Sequence, residues 1–77
     1  MQQLEFNFPY RFSNDLERRL FKFWVKSMYD ENTRERRNYR ETPYPNLYSY
    51  AKKNWKFLIY EWESEIRDLT LSNAEIS

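Results

Sequence analysis

The chain lacks three residue types on which many small proteins depend: it has no cysteine, no histidine and no glycine. Without cysteine it cannot belong to the class of small secreted domains held together by disulfides. Without histidine we expect neither a zinc site nor a Ser–His or Cys–His nucleophile–base pair. Without glycine there is no Gly-rich loop to cradle a phosphate. The sequence therefore predicts that the protein is not an enzyme and takes no cofactor, metal or small-molecule substrate.

Long apolar runs are also missing. The N-terminus has no apolar segment of the kind found in signal peptides, and no run approaches the roughly 20 apolar residues that cross a bilayer. These absences predict a protein without a membrane partner, located in the cytoplasm.

What the chain does have is an unusual supply of large aromatic residues, with seven Tyr, six Phe and three Trp in 77 residues. Such side chains bury much area each, which suits a single small domain spanning residues 1–77. Even so, a core of this size supplies only about 3–5 kcal/mol of net stability. Disulfides and metals are excluded above, so association with another protein is the remaining source of stability.

Charge is distributed unevenly along the chain. Residues 11–56 hold twelve Lys or Arg against six Asp or Glu, whereas residues 57–77 hold one Arg against five acidic residues. The basic region fits phosphates or an acidic protein. The acidic region fits the basic region of a second copy.

Residues 1–12 are predicted to form an extended or strand-like N-terminal arm. Within it, residues 4–12 read LEFNFPYRF and alternate strictly between apolar and other side chains, which is typical of a strand. Pro9 removes a backbone donor and so favours an edge strand or an extended segment. Three outcomes remain open: the arm packs along the helices, pairs with a second copy, or adds to a partner's sheet.

A first helical region is predicted over residues 14–40. Asn14 followed by Glu17 fits a capping box. Its apolar residues cover about 200° of the helix, twice what one partner helix needs; they are Leu16, Leu20, Phe21, Phe23, Trp24, Val25 and Met28. The polar stretch that follows fits either a continued helix with a kink or a short third helix over 32–40.

A second helix is predicted over residues 46–69, after the helix-breaking segment Thr42-Pro43-Tyr44-Pro45. Asn46 fits its cap. Its apolar face comprises Leu47, Ala51, Trp55, Leu58, Ile59, Trp62, Ile66 and Leu69. Residues 70–77 fit a frayed tail. Because the connection is short, the sequence predicts an all-α antiparallel helical hairpin with the N-terminal arm attached.

The surplus of apolar surface predicts a non-enzymatic protein-interaction module: an adaptor, regulator or inhibitor. Its partner is expected to be another protein or a second copy in a homodimer. Aromatic residues outside the main helical faces are the predicted interface. They are Phe6, Phe8, Tyr10, Phe12, Tyr50 and Phe57.

A nucleic-acid-binding protein is the alternative interpretation, because basic residues are interleaved with tyrosines between positions 18 and 56. The predicted phosphate or acidic-partner surface comprises Arg18, Lys22, Lys26, Arg34, Arg36, Arg37, Arg40, Lys52, Lys53 and Lys56. The sequence pI of about 7.9 argues against it, since dedicated nucleic-acid-binding domains exceed about 9. The simpler interpretation of the arginines near residue 37 is that they lie at a solvated helix end. Their positive charges there interact favourably with the negative end of the helix dipole.

Overall fold

The computed structural model describes residues 10–76, and every regular element among them is helical. The elements are α1 (Asp15–Asn38), α2 (Leu47–Lys53), α3 (Trp55–Glu61), a π-helical segment (Trp62–Ile66) and α4 (Arg67–Ile76). The predicted all-α class is confirmed for this part of the chain. Most of the predicted arm, including Phe6 and Phe8, lies outside the described residues. Within residues 10–76 no helix combines the length and the apolar character that a membrane crossing requires.

Helix α1 begins with the cap that the sequence predicts. The side-chain oxygen of Asn14 accepts a hydrogen bond from the backbone N–H of Glu17 at 2.8 Å. In a standard capping box the Glu17 carboxylate would accept from the backbone N–H of Asn14. Here it accepts from the preceding residue instead: from the Ser13 backbone N–H at 2.7 Å and from the Ser13 hydroxyl at 2.8 Å. Asp15 in the first turn adds a favourable charge at the positive end of the helix dipole.

The same helix continues without a break to Asn38, so the continued-helix alternative is correct and no separate helix forms over 32–40. It ends in a Schellman motif: Glu41 N–H donates to the Arg36 carbonyl at 2.7 Å, and Arg40 N–H donates to the Arg37 carbonyl at 3.1 Å. This motif places Arg40 at φ 58°, where glycine is the usual residue. A chain without glycine therefore ends α1 with a strained arginine.

Side chains from α1 fix its connection to the second helical region, which comprises α2, α3, the π-helical segment and α4. Arg36 donates to the Thr42 carbonyl at 3.1 Å, and its guanidinium lies 4.6 Å from the centre of the Tyr44 ring. The Tyr29 hydroxyl donates to the Tyr44 carbonyl at 3.1 Å. The predicted cap of α2 is confirmed, because the Asn46 side chain accepts from the Ser49 N–H at 2.8 Å.

The predicted second helix is interrupted first at Asn54, whose φ of −110° and ψ of 21° leave the α-helical region. Its side-chain amide donates to the Tyr50 carbonyl at 2.9 Å, and its backbone N–H donates to the same oxygen at 3.1 Å. The Asn54 carbonyl in turn accepts from Leu58 N–H at 2.9 Å. Asn54 therefore ends α2 through its side chain and its backbone N–H, and its backbone carbonyl accepts a hydrogen bond from α3.

The π-helical segment is the second interruption, and it changes which residues face the core. The N–H of Arg67 donates to the carbonyl of Trp62, five residues earlier. A π turn holds more residues than an α turn, so the residues after it lag behind the α-helical register. Leu69, predicted on the apolar face, is consequently 68% exposed. The helix also continues to Ile76, where the sequence pattern predicts a frayed tail after residue 69.

The core lies between α1 and the second helical region and is largely aromatic. Its buried apolar residues are Phe21, Val25, Tyr50, Ala51, Leu58 and Trp62. The ring of Phe21 lies 5.2 Å from the Trp62 ring and 5.9 Å from the Trp55 ring. Further along α1, Tyr29 lies 5.7 Å from Tyr50. Residues in the C-terminal half of α1 thus contact residues near the start of the second helical region.

Candidate protein-interaction surfaces

Tyr10 and Phe12, the described apolar residues of the predicted N-terminal arm, pack on the core of their own chain. The Phe12 ring lies 5.2 Å from Phe21, and the Tyr10 ring lies 4.8 Å from Phe12. The Tyr10 hydroxyl donates to the Glu63 carboxylate at 3.2 Å. Burial and this hydrogen bond raise the pKa of Tyr10. Two of the predicted interface residues, Tyr10 and Phe12, therefore make intramolecular contacts.

Tyr50, a third predicted interface residue, belongs to the core. It is buried, and its ring lies 5.6 Å from Tyr44 as well as close to Tyr29. Burial, followed by the proximity of Tyr44, raises the pKa of its phenol. The structure thus places Tyr50 in the core and not at the surface, because Tyr29 and Tyr44 pack against its ring. Phe57, on α3, remains half exposed.

Glu17 is a buried carboxylate that the sequence pattern treats only as part of a cap. The residue is 1% exposed, and its second oxygen accepts a hydrogen bond from the Trp62 indole N–H at 2.9 Å. Burial alone raises the pKa of Glu17, but the hydrogen bonds from Ser13 and Trp62 and the charge of Arg67 outweigh it, so the pKa lies below its ordinary value. Glu17 thereby joins the start of α1 to the π-helical segment.

The most exposed apolar side chain of α1 is Phe23, at 74%. It borders a shallow hollow of about 300 Å³ whose other lining residues are Arg19, Lys22, Lys26 and Leu47. We call these five residues the Phe23 surface. Lys26 pairs with Asp30 at 3.2 Å, but both side chains are exposed, so this ion pair is weak. The surface combines an aromatic ring, an apolar floor and three cations.

The sequence pattern places Phe23 in the apolar arc of α1 and does not predict that its ring is exposed. Helical geometry could have predicted this exposure, because Phe23 lies nearly opposite Phe21 and Val25 on a helix of 3.6 residues per turn. Phe23 lies outside the core cluster, and Leu47 is the residue of the second helical region that lines the same hollow.

The structure distributes the predicted basic residues over three parts of the fold. Lys22 and Lys26 belong to the Phe23 surface, whereas Arg18 pairs with Asp15 at 3.4 Å. At the end of α1, Arg34 and Arg37 line a second hollow of about 530 Å³, while Arg36 and Arg40 shape the connection described above. Lys52, Lys53 and Lys56 are exposed on the second helical region.

An acidic surface lies on the outer side of the second helical region. Positions three or four apart are exposed or half-exposed along α3, the π-helical segment and α4. They carry both apolar and acidic side chains: Phe57, Tyr60, Glu61, Glu65, Asp68 and Leu69. We call these six residues the acidic face. Its described ion pair joins Asp68 to Arg67 at 3.7 Å.

Comparison with protein-family models, with curated proteins and with solved structures finds no match to this chain. Among the described residues, no three acidic side chains come together in a group that could hold a metal ion.

Proposed function

We propose that this protein is a non-enzymatic protein-interaction module, a helical hairpin that binds an acidic partner through its Phe23 surface. The observation that carries the proposal is the 74% exposure of Phe23 beside a hollow that it shares with three cations. Burial of a phenylalanine side chain contributes about 1.5–3 kcal/mol. Large aromatic side chains of this kind commonly anchor protein interfaces.

The partner is best described as an amphipathic helix with acidic side chains around its apolar stripe. Arg19, Lys22 and Lys26 supply the positive charges that would attract it. Their long aliphatic stems also cover apolar area, so the surface accepts apolar and acidic groups together. The hollow runs along one flank of α1 to Leu47 at the start of α2, which suits a helix lying in a groove.

The test uses two labelled synthetic helices with the same leucine stripe, one with glutamates and the other with lysines at the remaining positions. Fluorescence anisotropy measures their binding to the full chain. We expect the glutamate helix to bind and the lysine helix not to bind. Phe23→Ala should weaken binding about ten-fold or more, as for an interface anchor. Tyr39→Ala is the matched control, because Tyr39 is 77% exposed and lies outside the surface.

Equal binding of the two helices, or binding that Phe23→Ala leaves unchanged, would overturn the proposal. Circular dichroism of each variant shows whether the fold is retained. Both substituted rings are exposed, so neither substitution is expected to unfold the protein.

The nucleic-acid-binding alternative has weaker support. The Tyr44 ring, which could stack on a base, is covered by Arg36 at 4.6 Å, and the Tyr48 ring has Lys52 at 5.9 Å. Arg34 and Arg37 are exposed and line the larger hollow. Binding of a mixed-sequence oligonucleotide at low salt that requires these two arginines, and not Phe23, would favour this alternative instead.

A further inference from the structure

The chain itself contains a surface with the chemistry that the Phe23 surface requires. On the acidic face, Tyr60 and Leu69 are largely exposed, and Phe57 is half exposed. Glu65 and Asp68 lie among them, also exposed. The face is therefore an amphipathic helical surface. Its exposed carboxylates lie around Leu69, whereas Lys56 lines a hollow beside Tyr60.

We infer that the acidic face of a second copy of this chain occupies the Phe23 surface. This inference rests on the proposed function and names its partner. Each surface exposes large apolar side chains that the chain's own core leaves uncovered. Their charges are opposite, with Arg19, Lys22 and Lys26 on one and acidic residues on the other. Opposite charge guides the two surfaces together and fixes their register.

The geometry makes this contact head-to-tail. Apart from Leu47, which packs against the core, the residues of the two surfaces lie on the outer sides of the helices that enclose the core. One copy cannot present both surfaces to the same neighbour across a two-fold axis. The contact is therefore heterologous, and it extends to further copies as concentration rises.

Sedimentation equilibrium of the full chain and two charge-reversed variants tests the inference. One variant carries Lys22→Glu with Lys26→Glu, and the other carries Glu65→Lys with Asp68→Lys. We expect the average mass of the unmodified chain to rise with concentration at about 0.05 M salt, and to fall toward the monomer at about 0.5 M, where charges are strongly screened. Each variant alone should remain monomeric. An equimolar mixture of the two should associate, because each reversed surface then meets a complementary one.

The matched control is Arg34→Glu with Arg37→Glu, which changes net charge as much as the first variant but lies outside the Phe23 surface. This control should still associate. A monomeric unmodified chain at high micromolar concentration and low salt, or a mixture of reversed variants that stays monomeric, would overturn the inference.

The synthetic glutamate helix separates this inference from the proposed function. If the chain stays monomeric but binds the helix through Phe23, self-association is wrong and the proposed function stands. If the chain neither associates nor binds the helix, both proposals fail. If it associates equally well after Phe23→Ala and after the Lys22 and Lys26 reversals, association uses another surface and the inference is wrong.

Discussion

The two helical regions of this molecule differ in how they keep their shape. Helix α1 runs through 24 residues without interruption, whereas residues 47–76 are divided among three α-helices and a π-helical segment. Local interactions hold α1: a side-chain cap, acidic residues in its first turn, basic residues in its last turn and a Schellman motif at its end. The second region supplies four of the six buried apolar core residues, and its path follows their packing.

The comparison teaches that the region supplying most of the buried core is also the region whose helix is interrupted. In the second region Trp55 and Trp62 both approach Phe21, at 5.9 and 5.2 Å. Close packing of such rings leaves little freedom for the backbone that carries them. Asn54 and the π-helical segment are the two places where that backbone departs from a regular α-helix.

The largest effect is expected at the point where the two regions meet. Phe21→Ala removes a fully buried ring and should lower the free energy of unfolding by about 3–5 kcal/mol. In a domain this small, that loss approaches the whole stability. Phe23→Ala, two positions away on the same helix, should change it by at most about 0.5 kcal/mol. Urea unfolding followed by circular dichroism measures both, and equal effects would contradict the assignment of Phe21 to the core and Phe23 to the surface.

Substitution of Glu17 should have the next largest effect on the free energy of unfolding, because Glu17 links the two regions through the Trp62 indole. Glu17→Gln keeps the shape but cannot accept all three hydrogen bonds, and should cost about 1–3 kcal/mol at neutral pH. Thermal unfolding of the two proteins measures this cost, and Glu65→Gln, at an exposed position, is the control.

The same carboxylate predicts a pH dependence. The pKa of Glu17 is lower in the folded than in the unfolded chain, so its stabilisation is fully present above the unfolded pKa and is lost as pH falls through the folded pKa. The unmodified chain should therefore lose stability in acid more steeply than Glu17→Gln. Parallel curves of unfolding free energy against pH for the two proteins would show that Glu17 is not the titrating group.

A smaller effect, of opposite sign, is expected at the end of α1. Arg40→Gly relieves the positive φ of 58° and should stabilise the protein by about 1 kcal/mol. Asn38→Gly, at the last residue of α1, should instead destabilise it by up to about 0.5 kcal/mol, because this position has no need of glycine. Melting temperatures of the two variants give the comparison. A loss of stability in both would mean that the Schellman motif does not hold α1 as described.

The smallest effect concerns the interruption in the second region. If packing of the tryptophans sets the break, Asn54→Ala should change the unfolding free energy by less than about 1 kcal/mol. Backbone chemical shifts should still show a break at residue 54. A single continuous helix over 47–61 in this variant would show that the asparagine side chain, rather than core packing, interrupts the helix.

Much of the fold follows from local patterns that a sequence displays directly. The caps at Asn14 and Asn46 and the all-helical class of the described residues were predicted correctly. The exposure of Phe23 and the burial of Tyr50 were not, because they depend on which side of each helix meets its neighbour. Leu69 shows the cause most clearly: an ideal α-helix brings it to the apolar face, and the π-helical segment before it turns it to solvent.

By itself, the sequence determined where α1 and α2 begin, which broad faces are apolar, and that the basic and acidic residues are separated along the chain. These properties arise from neighbouring residues, whose hydrogen bonds and spacing act over one or two helical turns. Only the tertiary structure decided that Glu17 is buried against Trp62, that the second region is interrupted twice, and that Phe23 remains at the surface. Those outcomes depend on how large rings from distant positions fill one small core, which is a property of packing in three dimensions.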